Sequence, residues 1–166
     1  RGGITVGYHN GDVTDAMTKI DVSGSTWAFG GSGSVNAAAL ATGDSVGIDG
    51  GSGDDDISNE AGLEVNSTAY AKTASSSYTF AGGSGSEGTV TAATSAAGLR
   101  GGEGNDAIRN RAAITVRARS YAGSTGSAET TFGSSKARAG ASSSAAAVGI
   151  DGGSGNERIE NSGTIS

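Results

Sequence analysis

The chain has 166 residues, with 31 glycines, no proline and no cysteine, and 34% of its residues are hydrophobic, many of them alanine. This composition disfavours an ordinary globular core and favours a fold built on backbone hydrogen bonds and stacked small side chains. The 11 basic and 17 acidic residues give a net charge of −6, which disfavours binding to nucleic acid and anionic membranes. No apolar run reaches the roughly 18 residues of a membrane span, and a chain without cysteine has no disulfide or thiolate metal site.

Self-similarity divides the chain into 51-residue units. A glycine-rich segment begins at Val46, recurs at Ala97 and begins a third time at Val148, so the two spacings, 97 − 46 and 148 − 97, are both 51 residues. Two equal spacings in succession rule out coincidence. The predicted organisation is a partial unit at 1–45, full units at 46–96 and 97–147, and the start of a further unit at 148–166.

The first unit is predicted to be longer than the others. Ile4 and Leu63 both begin a stretch of alternating residues, and the interval between them is longer than the period. We therefore expect an insertion of about eight residues near 8–25, since surface turns tolerate differences in length.

Strands are predicted where the side chains alternate in character. The segment 63–71 alternates in this way, and so does 114–122 one period later. The residues expected to face inward are Leu63, Val65, Ser67, Ala69 and Ala71, and then Ile114, Val116, Ala118, Ser120 and Ala122. We expect an all-β chain that forms one continuous parallel β-solenoid of the β-roll or β-helix type. Each unit is predicted to contain several coils, about three short ones.

Each unit also contains a glycine-rich turn with the pattern G-G-x-G-x-D-x-U-x, in which U is a large apolar residue. The segments 50–58 and 101–109 match every fixed position, whereas 152–160 departs at the sixth position, where Glu157 stands. In these residues the chain resembles the RTX (repeat-in-toxin) family of secreted proteins, whose β-rolls bind calcium.

The resemblance implies a calcium site at this turn. Calcium takes about six to eight oxygen ligands, and glycine permits the positive φ that turns backbone carbonyls toward an ion. The implied ligands are the carboxylates of Asp55 and Asp106, with Glu157 as a poorer substitute, and the carbonyls of Gly51, Gly53, Gly102, Gly104, Gly153 and Gly155. RTX turns follow one another about every 18 residues, whereas this turn occurs once per unit. The alternative of a glycine corner without metal therefore stays open.

A recurring asparagine lies two residues after the apolar position of each turn. Asn59, Asn110 and Asn161 share the inward parity of the preceding isoleucines, so they are expected to stack as an amide ladder that satisfies buried polar groups.

Outward positions of the alternating segments provide candidate surface sites. Tyr70, Arg117, Arg119 and Tyr121 form a candidate contact stripe for a glycan or another filament. Asn66 begins the sequon Asn-Ser-Thr, which makes it a candidate glycosylation site.

The acidic residues recur with the repeat and do not form one constellation in a cleft, so no enzyme activity is expected. We expect a structural repeat segment of a large extracellular or cell-surface filament or adhesin, ordered by calcium outside the cell and self-associating into a fibre or long array. The alternative is the non-catalytic secretion and folding module of a secreted RTX enzyme or toxin. A surface glycan is a further candidate partner.

Overall fold

The computed structural model describes the backbone of residues 2–6 and 12–166, with side chains from residue 16 onward. Among these residues there are strands and short turns but no helix, and so no helix that could cross a membrane. The strands are β1 (Gly2–Val6), β2 (Asp12–Asp49), β3 (Asp55–Asn59), β4 (Leu63–Arg100), β5 (Ala107–Asn110), β6 (Ile114–Asp151) and β7 (Arg158–Asn161). All strand pairs are parallel, which confirms the predicted all-β chain with parallel strands.

The strands form two sheets whose register equals the repeat in every pair except β1 with β3. The long strands lie in the order β2-β4-β6 and the short strands in the order β1-β3-β5-β7. Leu63 pairs with Ile114 and Tyr70 pairs with Tyr121, in each case the counterpart one period later in the chain. One unit therefore supplies one layer, made of a long and a short strand, and successive layers are about 4.8 Å apart.

This register shows that the prediction of several coils per unit is wrong. Short coils within a unit would pair each strand with another strand of the same unit, whereas every long strand pairs with its copy in the next unit. The copies have nearly the same pattern of small and large side chains, so pairing them brings like residues together in columns. Each long strand also contains a glycine with positive φ near its middle, at Gly31, Gly82 or Gly133, and the reversal there lies within a layer and does not begin a new one.

Each long strand folds into two arms that face each other across a thin interior. In β4 the chain reverses at Gly82, where φ is 126°, so that the arm at 63–80 lies opposite the arm at 84–100. We call this reversal the tip. The hydroxyl pairs that join the two arms near it are Ser77 with Ser84 (2.8 Å) and Ser75 with Ser86 (2.7 Å).

The apolar core lies at the end of the layer remote from the tip. Its largest cluster includes Ile57, Leu99, Ile108 and Ile114, all fully buried, and a second cluster farther along the arms consists of alanines and Val90. The isoleucines of β3 and β5 close the open end of the arms. Toward the tip, buried serines and threonines replace the aliphatic residues, because the converging arms leave room only for small side chains.

The first unit differs from the others by fewer residues than predicted. Ile4 pairs with Ile57, and Asp12 pairs with Leu63. The first of these intervals (57 − 4) is longer by two than the second (63 − 12), which equals the period. The first unit therefore has two additional residues between β1 and β2, and not the predicted insertion of about eight near 8–25. The prediction aligned Ile4 with Leu63, whereas Ile4 pairs with Ile57. Residues 8–11 of the predicted insertion lie outside the described residues.

Candidate metal site at the glycine turn

The glycine turns connect each long strand to the following short strand. Two glycines in every turn have positive φ, a conformation that residues with a side chain rarely adopt. Their φ values are 91° at Gly51 and 111° at Gly53, 106° at Gly102 and 137° at Gly104, and 90° at Gly153 and 140° at Gly155. The residues implied as carbonyl ligands are thus the ones that shape the turn.

The sixth residues of the three turns stack as a carboxylate column, which consists of Asp55, Asp106 and Glu157. Asp106 Oδ1 accepts a hydrogen bond from the backbone N–H of Asp55 at 2.8 Å, and Glu157 Oε2 accepts one from the N–H of Asp106 at 2.8 Å. Each bond joins neighbouring layers. The second oxygen of each of the three carboxylates is buried and has no hydrogen-bond partner among the described residues.

The glycines leave the space that the column occupies. A β-carbon on Gly101 would lie 2.6 Å from Asp106 Oδ2, and one on Gly155 would lie 3.0 Å from Glu157 Oε1. A side chain at either position would displace the carboxylate. Glu157 departs from the sequence pattern, yet it accepts the same interlayer hydrogen bond as Asp106, so the longer side chain keeps the column continuous.

Some of the implied carbonyl ligands also join the layers. The Gly51 carbonyl accepts the N–H of Glu103 at 2.8 Å, and the Gly102 carbonyl accepts the N–H of Ser154 at 2.8 Å. A carbonyl oxygen has two lone pairs, so each can still accept a second partner. The Gly53 carbonyl oxygen lies against Gly104 of the next layer, directed along the stack.

The aspartates that precede the first and third turns accept hydrogen bonds from those turns. Asp49 Oδ1 accepts the N–H of Gly51 at 3.2 Å, and Asp151 Oδ1 accepts the N–H of Gly153 at 3.1 Å. Arg100 lies between these two carboxylates, 3.8 Å from Asp49 and 3.9 Å from Asp151. An arginine in the middle layer thus offsets the like charges of the layers on either side.

A second ladder on the turn was not predicted from the sequence. The fifth-position side chains stack, with the N–H and Nδ2 of Asn105 both donating to Asp54 Oδ1, at 2.9 and 3.1 Å. Asn156 donates to Asn105 Oδ1 in the same way, at 3.1 Å from both nitrogens. The signal in the sequence was the Asp or Asn at this position in every copy, which the RTX pattern leaves unspecified.

The asparagines after the turn form a buried amide ladder. Asn59 Nδ2 donates to Asn110 Oδ1 at 2.7 Å, and Asn110 Nδ2 donates to Asn161 Oδ1 at 2.7 Å. Asn59 and Asn110 are almost fully buried, so these bonds satisfy amides that are removed from water.

Charged residues of the middle layer bridge the layers on either side. Arg109 lies 3.1 Å from Asp56 and 3.6 Å from Glu160. The hydrogen bond and charge of Arg158, with the more distant Arg109, lower the pKa of the exposed Glu160. Basic residues therefore alternate with acidic ones along the stack, near the turn.

The candidate contact stripe lies on the outer face of the first arm. Tyr70 and Tyr121 stack with centroids 4.9 Å apart, and Lys19 lies 5.6 Å from the Tyr70 ring. Arg117 donates a hydrogen bond to Glu64 at 2.6 Å, and Arg119 is exposed beside it. Some side chains of the stripe are therefore already in contact with the neighbouring layer.

The candidate glycosylation site lies within a strand. Asn66 is in β4, between β2 and β6, and its half-buried side chain donates a hydrogen bond to Glu64 at 3.3 Å. The Asn66 carbonyl accepts from Ser45 at 2.9 Å. The sequon residues are therefore part of a paired strand, not of a surface loop.

The donor set of the column fits a hard cation. Carboxylate and carbonyl oxygens are calcium ligands, and both kinds meet between successive turns. No three acidic, histidine or cysteine side chains within the described ranges converge to hold a metal ion. A cation at the column would therefore take most of its ligands from the backbone.

In comparisons with known proteins, the chain matches no protein family, no curated protein and no solved structure.

Proposed function

We propose that this chain is a structural segment of an extracellular or cell-surface filament or adhesin, built as a β-solenoid with one layer per 51-residue unit and stabilised by calcium at the glycine turns. The observation that carries the proposal is the carboxylate column, in which three buried oxygens without partners lie in register with the repeat. A site that recurs wherever one layer stacks on the next suits a structural role.

Calcium resolves an electrostatic conflict in the column. Buried carboxylates without a partner destabilise a fold, and like charges in neighbouring layers increase that cost. A divalent cation between Asp55 and Asp106, and another between Asp106 and Glu157, would offset the charge and use the free oxygens. Carbonyls of Gly53 and Gly104, directed along the stack, are candidate backbone ligands for the two positions.

This arrangement makes folding depend on the compartment. Metal binding to the folded state alone adds its free energy to folding, and a site filled at a hundred times its Kd adds about 2.7 kcal/mol. The acidic chain would be less ordered where calcium is scarce and would stack where calcium is abundant. An unfolded chain before export and a stiff shaft outside the cell suit a surface filament.

The test is to measure unfolding of the chain by circular dichroism in calcium, in magnesium and in chelator. Calcium should raise the unfolding midpoint above that in chelator. Magnesium, which holds its water ligands more tightly, should raise it much less. Equal midpoints in calcium and chelator would refute the calcium site. If unfolding is non-cooperative and β-structure is lacking under all conditions, the layered array itself is wrong.

A further inference from the structure

The tip of the layers carries a continuous ridge of exposed aromatic side chains. Trp27, Phe29 and Phe132 are 66%, 69% and 65% exposed, and Phe80 lies between the two other phenylalanines. The aromatic ridge consists of Trp27, Phe29, Tyr78, Phe80 and Phe132. Its rings cross all three layers of long strands, so the ridge runs along the stacking direction.

The rings of the ridge pack on one another without being covered. Phe29 and Phe80 stack with centroids 5.1 Å apart, and Phe80 meets Phe132 edge-on at 5.6 Å. Trp27 and Tyr78 are parallel at 6.3 Å, too far apart to cover each other's faces. Three rings about two-thirds exposed, at roughly 200 Å² each, leave about 400 Å² of aromatic surface in water. A patch of that size commonly marks an interaction surface.

The tip is electrically neutral, unlike the rest of the molecule. Residues 25–34, 76–85 and 127–136 contain two charged residues of opposite sign, Glu129 and Lys136, so the net charge of −6 resides elsewhere. The glycine turns and their acids lie at the far ends of the arms. An arm of 18 residues extends up to roughly 55 Å, several times the Debye length of about 8 Å at physiological salt. Two tips can therefore approach without repulsion between the acidic ends.

We infer that the aromatic ridge docks a second copy of this chain, tip to tip, so that two stacks pair side by side. The ridge presents about one phenylalanine per layer, and a second copy presents the same rings at the same spacing. A two-fold axis therefore matches the ridges layer for layer. This pairing rests on the proposed layered array and is independent of calcium, because the ridge and the glycine turn lie at opposite ends of the arms.

The strength of pairing should depend on the number of layers. Two copies of this chain would bury about 800 Å² in total, below the roughly 1,200 Å² of the smallest stable interfaces. Pairing of the 166-residue chain is therefore weak and visible at high concentration. In a longer array each additional layer adds to the same ridge.

The experiment is a small-angle scattering series in calcium up to about 1 mM protein, with the cross-sectional radius of gyration as the readout. Side-by-side pairing enlarges the cross-section, whereas end-to-end stacking only lengthens the particle. The wild type should show a cross-section that grows with concentration. The triple variant Phe29→Ser, Phe80→Ser, Phe132→Ser should pair at least about tenfold more weakly. If that variant does not fold, Trp27→Ser alone should weaken pairing by a few-fold.

Leu40→Ser is the matched control, because Leu40 is 62% exposed on the second arm, away from the ridge. It should pair like the wild type. The inference is overturned if the wild-type cross-section stays constant, if the ridge variants pair as strongly as the wild type, or if Leu40→Ser weakens pairing equally. Failure of the calcium proposal would appear separately, as unfolding midpoints that are the same in calcium and in chelator.

Discussion

The carboxyl group of Asp106 lies at a position that is almost free of solvent. The residue is 2% exposed, its Oδ1 accepts the N–H of Asp55, and its Oδ2 has no partner among the described residues. Asp106→Asn keeps the shape and the Oδ1 acceptor but removes the charge. Burying an amide costs less than burying a carboxylate, so the variant should be more stable than the wild type in chelator, by about 1–3 kcal/mol. In calcium that advantage should be lost, because the cation has one fewer anionic ligand.

Urea unfolding in chelator and in saturating calcium measures both effects. Asp21→Asn is the control, since it makes the same change of charge at an exposed residue far from the turn. Its stability should change by less than about 0.5 kcal/mol in either condition. Full calcium stabilisation of Asp106→Asn would show that the carboxylate is not a ligand.

At the scale of elements, the lack of a side chain at the glycine turn allows the layers to stack at the spacing that strand pairing sets. Gly102 has a φ of 106°, and a β-carbon there would overlap the carbonyl oxygen of Gly51 in the neighbouring layer. Gly102→Ala should therefore lower the free energy of unfolding by at least about 3 kcal/mol, from backbone strain and from forced separation of the layers. Denaturant unfolding by circular dichroism measures the loss.

Gly62→Ala provides the comparison for this substitution. Gly62 has no atom within 4 Å of its would-be β-carbon and does not have positive φ. Alanine there should change stability by less than about 1 kcal/mol. Similar losses in the two variants would mean that the close approach of the layers at the turn does not require glycine.

The sequence predicted the local geometry of these elements well. The alternation at 63–71 identified which side chains are buried, because a strand places successive side chains on opposite faces. The glycine pattern located the turns because only positive φ closes them. The sequence did not indicate the partner of each strand, since alternation is the same whether the neighbour is in the same unit or the next.

The sequence also contains a pattern that indicates the reversal at the tip, but a search for periodicity does not detect it. Buried small hydroxyl residues are mirrored about the bond between Phe80 and Ala81, just before Gly82, with Ser77 facing Ser84 and Ser75 facing Ser86. Such a mirror indicates two arms packed against each other within a layer. The carboxylate column could be predicted from the turn pattern only as a set of ligands, because the interlayer bond from Asp55 to Asp106 depends on a register of one unit.

At the scale of the whole molecule, stability comes from contacts between adjacent layers. Each long strand pairs with its counterparts one unit away, so the layers form a one-dimensional stack. The alternation of charge along it, with Arg100 between Asp49 and Asp151, favours one order of the layers. A whole unit is then the smallest piece that can be removed while the strands remain paired in register.

Deleting residues 63–113 removes one complete layer and should leave a folded chain. The second long strand is lost, and β2 becomes the neighbour of β6 in the register that β4 had. Stability should fall, because one of the two interfaces between long strands disappears and Asp49 faces Asp151 without Arg100. Unfolding should remain cooperative, and the far-ultraviolet circular dichroism per residue should be nearly unchanged.

Deleting residues 63–79 removes fewer residues and should destabilise the folded chain far more. The second arm of β4 loses the arm that it faces, and the hydroxyl pairs near the tip and the apolar cluster at the far end lose one side. This variant should show little cooperative unfolding. If instead the shorter deletion folds well and the deletion of a whole unit does not, the layer is not the unit of folding, because several short coils per unit would give that result. The pair of deletions therefore separates the two architectures by a measurement that needs no knowledge of calcium, partner or compartment.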